Sequence, residues 1–235
     1  AAAARVAVSA APVALRQPAD PFLGKISPSD TADIQGMYSA QVATPLVSIH
    51  TALMPDGRVL TYGAPIGTEA QGGLAYDMWD PAFGTGGGSH TQLPSMHNYD
   101  SFCNAIEVLP DGRALMVGGN SVAATMAYDP ATGAQTMGNP LAYDRWYASV
   151  VRLPDDRFVV LGGGDYYNTG AFNNPNDNSG VATIPEIGNG TGAWTQLTGA
   201  SSTIAFGARD NRWWYPRATV APDGNVFGVS YNQMW

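Results

Sequence analysis

Two residues of this chain are of types that do chemistry and stand where a fold can bring them together. Cys103, in HNYDSFCNA, is the sole cysteine, and Tyr147 stands in YDRWYASVV. Each opens the first strand of a hairpin marked by a Pro-Asp turn, and they lie 44 residues apart, one repeat of the phrase described below. A thiol and a phenol at equivalent places of consecutive repeats can meet near a shared axis. Other chemistries find little support: there is no GxSxG elbow, Walker loop, HExxH or Cys-x-x-Cys, and paired glycosidase carboxylates carry no signature in sequence. One thiol neither staples the chain nor builds a thiolate zinc cluster. By residue type alone, Cys103 also fits a small buried hydrophobe and Tyr147 ordinary strand packing.

The elements that must position the pair are written in a phrase that occurs four times: MPDGRVLTYG around Asp56, LPDGRALMVGG around Asp111, LPDDRFVVLGGG around Asp155 and APDGNVFGVS around Asp223. Asp-Gly supplies the positive φ values of a two-residue hairpin turn, and the flanks are β-branched and apolar runs of strand length. WDPAFGTGGG and YDPATGAQT mark further turns that close an outer hairpin. Helical periodicity is absent, and 28 Gly with 17 Pro leave little room for long helices. The expected fold is all-β: a kelch-like β-propeller, incomplete, with about four blade-like units of a larger ring. A β-sandwich explains the hairpins but not their recurrence. The chain stops in VSYNQMW, in what reads as the next strand, so the expectation is a truncated ring whose missing blades lie elsewhere. Residues 166–193, dense in Asn, Gly and Pro, read as a surface loop with no calcium site; Asn189-Gly190-Thr191 matches the glycosylation pattern no better than chance.

Composition narrows the partners. The chain carries 11 Lys+Arg against 19 Asp+Glu, a formal charge of −8, and only 13% charged residues, where about 25% is usual. An acidic surface argues against nucleic acid, and no apolar run is long enough for a membrane span. The opening AAAARVAVSAAPVAL lacks the basic start and sustained apolar core of a secretory signal and reads as a remnant of processing or as a tail.

The segments PLVSIHTALMPDGRVLTYG, DSFCNA, GNPLAYDRWYASVVRLPDDRFVVLGGG and WWYPRATVAPDGNVFG resemble the copper radical oxidases, the family of galactose oxidase and glyoxal oxidase, over roughly residues 44–235. The resemblance implies residues 1–40 as an Ala/Pro-rich tail or linker and residues 41–235 as a partial galactose oxidase-like propeller. It implies a thioether between Cys103 and Tyr147 as the catalytic cofactor, with Tyr147 as copper ligand and radical. Removing two electrons from an alcohol or aldehyde exceeds the one-electron copper couple, and a phenol with an ortho thioether holds the second hole; copper favours N and O donors with a position left for substrate.

The family's two histidines and second tyrosine have no counterpart here, so the remaining copper ligands are expected from outside this chain. His50 is expected to be structural and His90 exposed. His97, six residues before Cys103, is the histidine expected near the site, though it matches no family ligand. Where galactose oxidase has a stacking tryptophan, this chain reads GGGDYYN, leaving Tyr166, Tyr167, Trp213 or Trp214 as substitutes. Arg145, Arg209, Arg212 and Arg217 are expected to be mostly structural.

The function so implied is part of a secreted, extracellular copper radical oxidase that oxidises small aldehydes or primary alcohols with O2 to give H2O2, glyoxal-like compounds being favoured because RWY and WYPR resemble the glyoxal oxidase side. Its partners would be the substrate, O2, and the missing C-terminal half of the propeller or a partner chain. The alternative is a non-catalytic β-propeller, a binding or structural module of an extracellular assembly, with an open edge suited to strand association.

Overall fold

The computed structural model describes residues 30–36, 41–67 and 72–235. The expected tail over 1–40 lies, apart from residues 30–36, outside the described residues. Four antiparallel sheets follow one another along the chain. The first holds β1 (Leu46–Leu53), β2 (Val59–Pro65), β3 (Ala75–Trp79) and β4 (His90–Leu93). The second holds β5 (Ala105–Val108), β6 (Ala114–Val117), β7 (Thr125–Tyr128) and β8 (Gln135–Met137). The third holds β9 (Trp146–Arg152), β10 (Phe158–Gly164), β11 (Glu186–Gly188) and β12 (Trp194–Gln196). The fourth has β13 (Arg217–Val220), β14 (Val226–Ser230) and β15 (Gln233–Met234). Strands pair in sequence order within each sheet, and the first strands β1, β5, β9 and β13 are neighbours along the inner edge. This is the succession of blades in an incomplete β-propeller. Helix is confined, among the described residues, to α1 (Ala32–Gln35), α2 (Thr203–Phe206) and four short 3₁₀ turns.

Blades stack through apolar faces. Tyr62 and Tyr76 of the first pack on Met116 and Met126 of the second; Leu115 and Val117 pack on Phe158 and Val160 of the third; Val159 and Leu161 meet Phe206 of α2 and Val226 of the fourth. Strands β6, β7 and β10 are buried on both faces because each is sandwiched between neighbouring blades, which is why they read as continuous apolar runs rather than alternating ones.

The four Pro-Asp turns are hairpins, but not of the two-residue type. Only Gly57, Gly112, Asp156 and Gly224 have positive φ, between 66° and 89°, and the residue before each Pro accepts a bond from these same positions, as in Gly57 N–H to Met54 O at 2.9 Å. These are type I turns followed by one left-handed residue. The Asp contributes its side chain instead of its φ: Asp111 Oδ1 accepts from Arg113 N–H at 3.1 Å and Oδ2 from Arg113 Nε at 2.9 Å. Asp56 with Arg58, Asp155 with Arg157 and Asp223 with Asn225 repeat the arrangement.

Candidate functional site at the inner strand ends

At the opposite end of the inner strands the backbone is again repetitive and the side chains are not. Cys103, Tyr147 and Tyr215 each stand eight residues before the turn aspartate of their blade, and all three adopt left-handed φ values, 58°, 64° and 43°. Such values are uncommon outside glycine. They are held by bonds between blades: Tyr147 N–H donates to Cys103 O at 2.9 Å, and Tyr215 N–H to Tyr147 O at 2.8 Å. One layer further out, Gly119 N–H donates to Arg145 O at 3.1 Å and Gly163 N–H to Trp213 O at 2.7 Å. Gly118 (φ +72°) has to be glycine, since a Cβ there would lie 2.3 Å from Arg145 O.

The structure therefore brings Cys103 and Tyr147 together and adds Tyr215, which the same eight-residue spacing would have identified. Cys103 is 6% exposed and packs with Trp146, Trp213 and the partly buried Tyr147. The Tyr147 and Tyr215 rings lie 4.9 Å apart at 31°. Burial raises the Cys103 thiol, with hydrogen bonding from Tyr147 and Tyr215 acting the other way. Burial first, then the Cys103 sulfur, pushes the Tyr147 hydroxyl up to about 12, and the same two causes raise Tyr215. Both phenols are thus protonated at neutral pH, and a metal would have to displace the proton it replaces.

The stacking aromatic is none of the four expected residues. Trp146 lies on Tyr147 with centroids 3.5 Å apart and planes 16° from parallel. Tyr166 meets Trp146 edge-on at 4.6 Å and Trp213 stands 6.0 Å from Trp146, while Trp214 does not stack on Tyr147 but meets its ring edge-on at 5.5 Å. A pocket of about 280 Å³ opens beside this stack, lined by Phe102, Asn120, Trp146, Tyr147, Tyr166 and Tyr167. Asn120 is oriented by Nδ2 to Asp100 Oδ2 at 2.9 Å and accepts from Tyr167 Oη at 3.3 Å.

Beneath the stack lies Arg145, wholly buried. Its guanidinium donates to Glu186 Oε1 at 2.9 and 3.1 Å, to Gly162 O at 2.5 Å and to Ile184 O at 2.7 Å, while Glu186 Oε2 accepts from Ala142 N–H at 2.7 Å. Every member is paired, which is the condition for a buried ion pair to persist. Arg145 is structural, as expected, and Arg212 bonds Asp210 at 2.7 Å and Arg209 bonds Asn176 at 3.0 Å.

The histidine expectations fail in two places. His97 is not near the site: its Nε2 bonds Gln135 O at 2.7 Å on the outer strand β8, because the chain between His97 and Cys103 runs from outside to inside. His90 is not exposed: it pairs across from Trp79, with Asp77 two residues along on the same face, and Nδ1 meets Asp77 Oδ2 at 2.6 Å with both side chains nearly buried. His50 stacks on Tyr62 at 5.2 Å and lies 6.5 Å from the Tyr215 ring, its Nε2 buried without a hydrogen-bond partner. Burial brings it down to about 4, so it is neutral. Among the described residues no three His, Cys, Asp or Glu side chains gather as a metal site, and no helix is long and apolar enough to cross a membrane.

No family model matches the chain. Two galactose oxidase sequences of Gibberella zeae are each 26% identical to it over 133 residues, which is 54% of this chain and 19% of theirs; the chain spans about a fifth of the length of these relatives. A fungal alcohol oxidase of the AA5 family, solved in complex with copper, superposes with a TM-score of 0.47 at 14% identity, over 76% of this chain and 47% of that one. The sequence match bears out the relationship to the copper radical oxidases.

Proposed function

We propose that this chain is part of the catalytic propeller of a secreted copper radical oxidase, one that passes two electrons and two protons from a small aldehyde or primary alcohol to dioxygen and releases hydrogen peroxide. The observation that carries the reading is the meeting of the sole thiol with the Tyr147 phenol on adjacent inner strands, both in left-handed backbone and joined by a direct bond between blades. The sequence kinship with galactose oxidase supports reading the pair as a redox cofactor.

Tyr147 would hold the metal through its phenolate oxygen, and an oxygen donor with nearby imidazole suits copper(II). The orphaned, neutral Nε2 of His50 beside Tyr215 is a donor of the right kind at the inner edge, but the gathered residues make only part of a coordination sphere, so the remaining ligands come from outside this chain. Copper, when bound, supplies one of the two one-electron acceptors. Tyr147 is the other, with Cys103 linked to its ring so that sulfur spreads the unpaired spin. Forming that link removes the Sγ hydrogen and a ring hydrogen ortho to the hydroxyl, two electrons and two protons that dioxygen accepts. Trp146 covers one face of the ring and keeps water from it. The pocket beside Tyr147 receives the substrate, and it has no cation to favour an acidic one.

Peptide mass spectrometry of natural full-length protein after trypsin tests this. The Cys103 peptide, 59–113, is expected joined to 146–152 at the sum of their masses less two hydrogens, resistant to reductant. Both peptides free after exposure to copper and oxygen would sink the oxidase and leave a propeller used as a binding module. Joining of 59–113 to 213–217 would move the cofactor to Tyr215.

A further inference from the structure

The stack on Tyr147 does not end at Trp146. From Trp146 the rings continue to Tyr166 at 4.6 Å and from Tyr166 to Tyr167 at 5.3 Å, both edge-on. Exposure rises along the same line: Trp146 is buried, Tyr166 is 45% exposed and Tyr167 68%. Phenol and indole are, with the thiol, the side chains that give up a single electron most readily, and electrons pass quickly between rings in contact. Phe172 also touches Trp146 and Tyr166, but a benzene ring is too hard to oxidise to take part. We infer that Tyr147, Trp146, Tyr166 and Tyr167 form a one-electron relay that connects the inner strand end to the surface, with Tyr167 as the port for external one-electron donors and acceptors.

The relay presupposes the Tyr147 radical proposed above. In discharge, oxidised Tyr147 takes an electron from Trp146 and returns to the phenolate that would hold the metal. Trp146 is refilled by an electron from Tyr166, whose phenolic proton leaves to solvent. Tyr166 takes back an electron and a proton as Tyr167 loses one of each; Tyr167 then takes an electron and a proton from an enediol or phenol, which departs as its radical. The sum is one electron moved from reductant to Tyr147 and one proton from reductant to solvent. Charging by an outer-sphere oxidant runs the same steps backwards. The route serves an enzyme whose working state is lost whenever one electron is gained or lost outside the catalytic cycle.

Tyr231 is the internal control, since it is 71% exposed and makes no ring contact among the described residues. In full-length, copper-loaded protein, stopped-flow absorption would follow the tyrosyl radical as hexacyanoferrate(III) raises it and ascorbate removes it. The double variant Tyr166→Phe, Tyr167→Phe keeps both rings and the packing; it is expected to slow both rates about tenfold, while Tyr231→Phe leaves them unchanged. Rates in the double variant equal to wild type would overturn the relay and leave the oxidase standing. A wild type that carries the peptide link but never develops the radical absorption would overturn the radical reading, and the relay with it.

Discussion

The two ends of each inner strand differ in what they repeat. At the turn end, backbone and side chains both recur: four aspartates accept from the residue two positions on, and three of them pair with an arginine there. At the other end the backbone recurs, with left-handed residues bonded from blade to blade, while the side chains are Cys103, Tyr147 and Tyr215. A repeat fold can vary chemistry where its hydrogen bonding is carried by the main chain alone, because no side chain there is needed to hold the geometry. The ion pairs follow the same division. Those of the turns are at the surface, whereas Arg145 and Glu186 are 0% and 1% exposed and sit beneath the stack.

Breaking the inner pair should have the largest effect on stability. Glu186→Ala leaves a fully desolvated guanidinium with only carbonyl partners and frees Ala142 N–H, and losing one partner of a buried pair costs about 3–5 kcal/mol. Urea unfolding of the full-length protein should show that loss, and replacing both residues with Arg145→Met, Glu186→Leu should recover much of it. If Glu186→Ala unfolds like wild type, the pair is not what holds the third blade under the stack.

Such a pair is hard to foresee. Arg145 and Glu186 are 41 residues apart, with β9, β10 and an irregular segment between them, and nothing local to either names the other. The blades were legible because Pro-Asp turns and apolar strands are local signals. Cys103 and Tyr147 were legible because they keep a constant spacing to those turns, a spacing that points to Tyr215 with equal force. Trp146 was not, for a definite reason: neighbours on a strand should face opposite sides, and the left-handed φ of Tyr147 breaks the alternation and turns its ring onto Trp146. His90 looked exposed after a run of glycines, and only strand pairing shows that Asp77 shares its face.

A smaller and pH-dependent effect is expected from His50. The unfolded chain protonates it below about 6.5, whereas burial in the folded protein delays protonation until about 4. Between those values the unfolded state binds more protons, so the stability His50 confers is full above pH 6.5 and is lost as pH falls toward 4. The loss is on the order of 2–3 kcal/mol, read as the difference between wild type and His50→Phe in denaturant midpoints across that window. Parallel pH curves would show that His50 is hydrated in solution.

The turn pairs set the lower bound. Asp155 and Arg157 form the same bonds as their counterparts, yet both are about half exposed, and exposed pairs contribute little to stability. Asp155→Asn keeps an oxygen for the Arg157 N–H but removes the charge and the acceptor of Arg157 Nε, so its cost should be the smallest of the three and shrink further in high salt, where surface charges are screened. Its stability, measured at low and high ionic strength beside Glu186→Ala, separates the two ends directly. A salt-insensitive loss at Asp155 would mean that the turn is held by the carboxylate's geometry rather than its charge. The third blade can bear a change there more readily than beneath Tyr147, because its turn already departs from the others: Asp156 occupies with φ 66° the place that glycine fills in the other three.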